Sequence, residues 1–199
     1  MDKAGFKKIT GYIAQKDKLF PFLTTRETQM FIAWRRLALA YQELHSLVEH
    51  LLNDLGLAHI ADLPVIDDNK MRGISGGERQ RVSIDVGVMH DPRMLILEEL
   101  MSRLDNSSAL QIVDLQKTMT ESKGRTVILS IHQPGFCIVK LFNFILLLAD
   151  GTVLHHDIVD QLLHRLNAAG LHLPLHVNAV EFAIDSIQNN PITTTRAKS

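Results

Sequence analysis

The chain has 199 residues, which suffices for one domain with a hydrophobic core or for a domain with an appendage. Hydrophobic residues make up 46% of the chain and charged residues 22%, values typical of a soluble globular protein. The formal net charge of −1 argues against nucleic acid or an anionic membrane surface as a partner. Cys137 is the only cysteine, so a disulfide framework is excluded and a reducing compartment is expected.

The sequence predicts neither a signal peptide nor a membrane-spanning segment. The first five residues contain no apolar signal region. The longest apolar run, 136–149, contains Lys140 and Asn143 and is too short to cross a bilayer. We therefore expect that this chain does not itself cross a membrane.

The first third of the chain predicts a short strand followed by two helices. Residues 9–13 alternate as a strand does and lead into Gln15. Thr24 and Glu27 have the spacing of a capping box, which predicts a helix from there to about Ala40. A second helix is predicted from apolar residues at helical spacing, with Gly56 as its stop: Leu44, Leu47, Val48, Leu51, Leu52 and Leu55. Residues 63–70 read as a loop.

Ser75, Gly76 and Gly77 directly precede a segment with helical apolar spacing. A helix start carries unpaired backbone N–H groups and partial positive charge, and glycine lets an anion approach them closely. The stretch therefore predicts a phosphate-binding helix start. A plain serine cap on a surface helix is the competing interpretation of so short a motif.

Three apolar runs predict strands of a largely parallel sheet, at about 94–98, 126–131 and 144–148. The first ends in Glu98 and Glu99, and the second delivers His132. Ligands of such sheets bind at the carboxyl ends of the strands, so we expect these three side chains to lie together there. A helix is expected to start at Ser107 or Ser108 and to end near Gly124.

Gly151 predicts a turn into 152–154, and two helices are expected after it. The first runs from about 158 to 169 and is stopped by Gly170. The second begins at Asn178, with Glu181 placed to complete a capping box. Residues 189–199 are expected to be disordered.

Several motifs in one order resemble the nucleotide-binding domain of an ATP-binding-cassette (ABC) transporter. Residues 11–15, ending in Gln15, resemble the Q-loop, and 74–81 resemble the family signature. Residues 94–99 resemble Walker B, 102–105 the D-loop with Asp105, and His132 the switch histidine. The stretches 77–84, 130–135 and 181–185 are similar to subfamily G, the white/brown half-transporters, and to plant members in particular. The resemblance extends from about residue 9 to 187.

The resemblance implies an α/β fold: a partial P-loop NTPase-like ABC ATPase domain with a parallel sheet and a helical subdomain at about 24–90. That domain would occupy 1–157 and be followed by a C-terminal helical extension at 158–188. It implies ATP and Mg²⁺ as cofactors, with Glu99 as general base and His132 at the γ-phosphate. Glu98 and Gln15 would serve Mg²⁺ indirectly.

The family's signature acts across a dimer, so the resemblance assigns the signature residues to ATP held by a partner: Ser75, Gly76, Gly77 and Glu78. The implied partners are a second nucleotide-binding domain and a transporter's transmembrane domain, and no nucleic acid. The implied location is the cytoplasmic face of a membrane, or the cytoplasm if the chain exists as this fragment.

The chain also departs from the family pattern. It contains no Gly-x-x-x-x-Gly-Lys-Ser/Thr, so the Walker A loop that cradles phosphates is missing, and we expect a truncated member. Glu98 replaces the Walker B aspartate, and Arg103 replaces a D-loop glycine. The isolated chain is accordingly expected to bind Mg-ATP weakly and to turn it over negligibly.

Three alternatives stay open beside an ATP-hydrolysing transporter fragment. One is a non-catalytic interaction protein that donates its signature helix to a partner's ATP site, and another is a degenerate gene fragment. The third is a nucleic-acid-type ABC ATPase, which the neutral charge disfavours. The ten histidines could suggest a metal site, but neither the spacing of His172 and His176 nor the lack of cysteine partners favours one.

Overall fold

The computed structural model describes residues 3–15, 19–65, 73–99, 101, 104–132, 134–149, 151–174 and 177–189. The chain forms two compact units that divide after His132, and each is described by itself. The expected functional domains, 1–157 and 158–188, remain a prediction, because compact packing alone does not define them.

The first unit is organised around a three-stranded parallel sheet in the order β1-β2-β3. Its strands are β1 (Thr10–Ile13), β2 (Met94–Glu98) and β3 (Thr126–Ser130). Ile13 of β1 lies opposite Leu97 of β2, which lies opposite Leu129 of β3. The strands therefore end at one edge of the sheet, as the predicted α/β class requires.

The helices of this unit are α1 (Lys3–Ile9), α2 (Thr25–Arg36), α3 (Tyr41–Asp54), a 3₁₀ turn (Ala58–Ile60), α4 (Gly76–Val88) and α5 (Asn106–Lys123). The capping box of Thr24 and Glu27 is confirmed. Helix α2 ends four residues before the predicted Ala40, because Leu37 adopts an extended backbone. Helix α1 was not predicted from the sequence, and it directly precedes β1.

Helix α4 packs against β1 through two glycines. A Cβ added to Gly11 would lie 2.6 Å from the carbonyl oxygen of Gly87, and one added to Gly87 would lie 2.7 Å from Ile13 Cδ1. On this face of the sheet Leu95 and Leu97 are buried. The close approach of the two backbones fixes α4 relative to the sheet.

The opposite face of the sheet is largely uncovered within the described part of this unit. Tyr12, Ile96 and Ile128 lie side by side on it, one from each strand. Tyr12 is 60% exposed and Ile128 50% exposed. Parallel sheets are normally covered on both faces, so this face is unusual for an isolated unit.

The second unit is a hairpin with three helices. Strands β4 (Ile145–Ala149) and β5 (Thr152–Asp157) are antiparallel. The helices are α6 (Phe136–Val139), α7 (Val159–Ala168) and α8 (Ala179–Asn189). Its core includes Leu147, Leu162, Leu166, Val180 and Ala183. The predictions of both long helices in this unit agree with the structure. Of the tail predicted as disordered, 189–199, only Asn189 is described, and it is the last residue of α8.

The prediction that the strand at 144–148 joins the parallel sheet is wrong. The strand exists as β4, but it pairs with β5 in a separate sheet. The turn at Gly151, with φ of 71°, brings β5 directly back along β4. An apolar run predicts a strand without specifying its neighbour.

None of the helices in the described segments has the length and apolarity needed to cross a membrane.

Replacing Gly11 with Ala should destabilise the first unit by about 1–3 kcal/mol, because the new methyl group would overlap the Gly87 carbonyl. Urea unfolding followed by the fluorescence of Trp34, the only tryptophan and a residue of α2, measures this loss. Gly5→Ala is the matched control, since nothing lies within 4 Å of a Cβ there. Equal midpoints for both variants would contradict the close packing.

Candidate functional site

The carboxyl ends of the three parallel strands form a polar rim. Gln15 follows β1, Glu98 and Glu99 end and follow β2, and His132 follows β3. The prediction that Glu98, Glu99 and His132 lie at one edge is therefore confirmed as geometry. Their chemical roles remain predictions.

Glu99 is the centre of this rim. Its carboxylate Oε2 accepts a hydrogen bond of 2.6 Å from Gln15 Nε2, and Oε1 lies 3.6 Å from His132 Nε2. Its backbone N–H donates to Ser130 Oγ at 3.1 Å. Glu99 has φ of 44°, a left-handed conformation that is uncommon outside glycine and turns the chain after β2. The imidazole of His132 is 84% exposed.

Glu98 has a different partner. The hydroxyl of Tyr12 on β1 donates to Glu98 Oε2 at 2.5 Å. This hydrogen bond, with some burial and the nearby negative charge of Glu98, raises the pKa of Tyr12 above its ordinary value. The two adjacent carboxylates are thus held by different residues.

The start of helix α4 has a side-chain cap, and it is also exposed to solvent. Ser75 is the N-cap: its Oγ accepts from the N–H of Glu78, and the Glu78 carboxylate accepts from the N–H of Ser75. Within the described residues the N–H groups of Gly76 and Gly77 have no acceptor. Ser75 and Gly76 are exposed. The prediction of an exposed helix start is confirmed.

Glu78 is the second member of the capping box at this helix start. Partial burial raises its pKa, but hydrogen bonds from Ser75 and from His59 at 2.9 Å outweigh that effect, and the net pKa is lowered. The carboxylate is therefore ionised at neutral pH and stabilises the positive end of α4. Its predicted contact with nucleotide stays a prediction.

Asp105 caps the next helix, α5. Its carboxylate accepts from the backbone N–H and hydroxyl groups of Ser107 and Ser108, and these bonds hold its pKa well below the usual range. Helix α5 begins at Asn106, one residue before the earlier of the two predicted starts. A Cβ on Gly77 would lie 3.3 Å from Ser108 Oγ, so the α5 cap borders the α4 start.

A buried polar pair anchors α4 to α2. Gln29 of α2 donates to Asp85 of α4, and both side chains are fully buried. Burial raises the pKa of Asp85 to about 8, against the effect of the Gln29 hydrogen bond and with a small contribution from Asp54. Among the described residues, Asp85 Oδ1 and Gln29 Oε1 find no hydrogen-bond partner. A protonated Asp85 could donate a hydrogen bond to Gln29 Oε1.

The residues present fit one side of a magnesium–nucleotide complex. Open N–H groups at a helix start suit phosphate oxygens, and the carboxylate and amide oxygens of the rim suit Mg²⁺. The chain holds no glycine-rich loop with lysine to cradle the remaining phosphates. The described residues contain no group of three His, Cys, Asp or Glu side chains that could hold a metal by itself.

Comparison with known proteins agrees with this geometry. The family model described as "ABC transporter" matches residues 2–102. ABC transporter G family member 5 of Arabidopsis thaliana is 57% identical over 189 residues, covering 95% of this chain and 29% of that protein. ABC transporter G family member 4 of the same plant is 39% identical over 189 residues, covering 95% and 32%.

A more distant relative has the same description. ABC transporter G family member 1 of Dictyostelium discoideum is 38% identical over 185 residues, covering 92% of this chain and 23% of that protein. The chain spans less than a third of the length of these curated relatives. It belongs to the ABC transporter family, and its relatives place it among the nucleotide-binding domains of subfamily G.

Sequence reasoning missed two contacts of this site. Tyr12 was predicted only as part of a strand and of the Q-loop-like stretch 11–15, although an aromatic hydroxyl on the strand before Gln15 was a detectable signal. The Asp85–Gln29 pair was missed because the two residues are 56 positions apart. Residues 102 and 103 of the D-loop motif lie outside the described residues.

Asp85→Asn should remove the loss of stability that the Asp85 carboxyl causes in the first unit as pH rises. The unfolded carboxyl releases its proton near 3.8, whereas the folded one keeps it to about 8. The folded state therefore binds the extra proton between these values, and the wild-type free energy of unfolding falls as pH rises, by at most about 1.4 kcal/mol per pH unit.

Urea unfolding at several pH values, followed by Trp34 fluorescence, tests this expectation. Asp114→Asn is the control, because Asp114 lies on the exposed face of α5. Wild-type and Asp85→Asn curves with the same slope against pH would show that Asp85 is ionised in the folded chain.

Proposed function

We propose that the chain acts in an ABC transporter dimer by presenting its α4 start to the phosphates of ATP bound by a second nucleotide-binding domain. The observation that carries this proposal is the exposed helix start at Ser75, Gly76 and Gly77. Its capping bonds use Ser75 Oγ and the Glu78 carboxylate, and they leave two glycine N–H groups without an acceptor in the described part of the chain. Such a start attracts an anion through its dipole and its free donors.

The rim residues have roles at the chain's own half of the dimer. There Glu99 is the general base, held in place by Gln15 and by its bond to Ser130. His132 would contact the γ-phosphate of bound ATP; its ring is exposed and its Nε2 lies 3.6 Å from Glu99 Oε1. Bound Mg-ATP would supply the reactive phosphate and the charge neutralisation. Glu98 and Gln15 would serve bound Mg²⁺ indirectly.

Each of these roles follows from the position of a donor or an acceptor. The Gln15 amide donates to Glu99 and keeps the carboxylate oriented while leaving its own oxygen for another partner. The Asp105 cap fixes the segment beside Gly77, where two subunits would meet. Neither contact requires nucleotide to form.

Coupling to a transmembrane domain, with export of a substrate, follows from the family alone. We place the chain at the cytoplasmic face of a membrane as part of such an assembly. Its relatives bear the words "ABC transporter" in their descriptions, which supports this location.

A second candidate is a non-catalytic interaction protein that regulates an intact partner. The α4 start favours it, because its cap is complete within the first turn and needs no phosphate cradle of its own. In that case the α4 start would be the only part of the site in use. The two candidates share the contact in trans and differ in whether the rim ever turns over ATP.

ATP hydrolysis in a mixed dimer tests the contact in trans. The partner is the nucleotide-binding segment of the 57% identical Arabidopsis relative, with its own signature serine replaced by arginine. We expect that partner to bind ATP without completing a site with a copy of itself. Adding this chain should restore hydrolysis, and Ser75→Arg should abolish the restoration, because the arginine blocks the open helix start.

Ser46→Arg is the matched control, since Ser46 is an exposed residue of α3 and lies outside the site. Restored hydrolysis that survives Ser75→Arg would refute donation in trans. Hydrolysis by the purified chain alone, lost in Glu99→Gln, would instead show that the rim works without an external cradle.

A further inference from the structure

The family resemblance assigns no role to the hydrogen bond between Tyr12 and Glu98, although Tyr12 lies in the Q-loop-like stretch and Glu98 in the Walker B-like stretch. Tyr12 is 60% exposed and lies on the uncovered face of the sheet. A side chain so exposed is held weakly by the hydrophobic effect. Its hydroxyl nevertheless makes a 2.5 Å bond to Glu98 Oε2, and hydrogen bonds to a carboxylate are among the strong ones.

The register explains why these two side chains meet. Tyr12 lies opposite Ile96, and Glu98 is two residues further along β2 on the same face. Such a diagonal neighbour is within reach of an aromatic side chain. Glu98 is one methylene longer than the aspartate that the family pattern expects, and this length extends its carboxylate toward the phenol.

We propose that Tyr12 is a positioning residue whose hydroxyl fixes the carboxylate of Glu98 at the end of β2. The inference rests on the proposed function in one respect, namely that Glu98 is the carboxylate facing Mg²⁺. Carboxylates that meet metals are commonly oriented by a hydrogen-bond donor behind them. Here Tyr12 orients Glu98 while Gln15 orients Glu99, so the two carboxylates are set independently.

The chain offers a direct probe, because it has only two tyrosines, Tyr12 and Tyr41. In a Tyr41→Phe background, fluorotyrosine incorporated at position 12 gives one ¹⁹F NMR signal whose shift reports the surroundings of the phenol. At pH 7, Glu98→Ala should move this signal toward its position in the urea-unfolded chain. Glu98→Asp should move it in the same direction, because the shorter carboxylate withdraws from the hydroxyl.

Glu121→Ala is the control, since Glu121 is exposed on α5, and it should leave the signal in place. Circular dichroism confirms that each variant is folded. A signal unmoved by Glu98→Ala would overturn the proposal, and one unmoved by Glu98→Asp would overturn the role of the longer side chain. The readout needs neither ATP nor a partner, so a failure of ATP hydrolysis in the mixed dimer leaves this test intact.

Discussion

The in-register parallel ladder of β1, β2 and β3 is the constraint on which the rest of the site depends. Because the strands run in one direction, residues distant in sequence reach the same edge: Gln15 and Glu99 are 84 positions apart and share a 2.6 Å hydrogen bond. A slip of one residue in any strand would send its side chains to the other face. The buried leucines of β2 oppose such a slip, because they would be exposed by it. The core thereby determines the chemistry of the rim.

The second half of helix α4 is fixed by packing, whereas its first turn is exposed. Gly87 lies against Gly11, and Asp85 is buried beside Gln29, so the second half of the helix is fixed to both the sheet and α2. In the first turn Ser75 and Glu78 cap each other, and the N–H groups of Gly76 and Gly77 have no acceptor among the described residues. This division suits a helix that must offer a rigid donor to another molecule. Because the Asp85 carboxyl is buried, it lowers the free energy of unfolding as pH rises. In its neutral form the same carboxyl can both donate a hydrogen bond to Gln29 and accept one from it.

The sequence predicted those features of the fold that depend on residues close together in the chain. The capping box at Thr24, the glycine stops at Gly56 and Gly170, and the helix start at Ser75 follow from spacings of a few residues. The rim was predictable because parallel strands end together. The partner of β4 was not, since its apolar run is compatible with either sheet and the turn at Gly151 decided the pairing. The Tyr12–Glu98 bond and the Asp85–Gln29 pair depend on register and on helix packing, which periodicity does not reveal.

The central claim is that the open α4 start binds ATP held by another subunit, so association itself should depend on nucleotide. Sedimentation of this chain with the nucleotide-binding segment of the Arabidopsis relative measures that association directly, under conditions where the ATP is not hydrolysed. We expect a mixed dimer with Mg-ATP, little association without nucleotide, and a weaker dimer for Ser75→Arg. Association that is equally strong without nucleotide, or that is unaffected by Ser75→Arg, would contradict it.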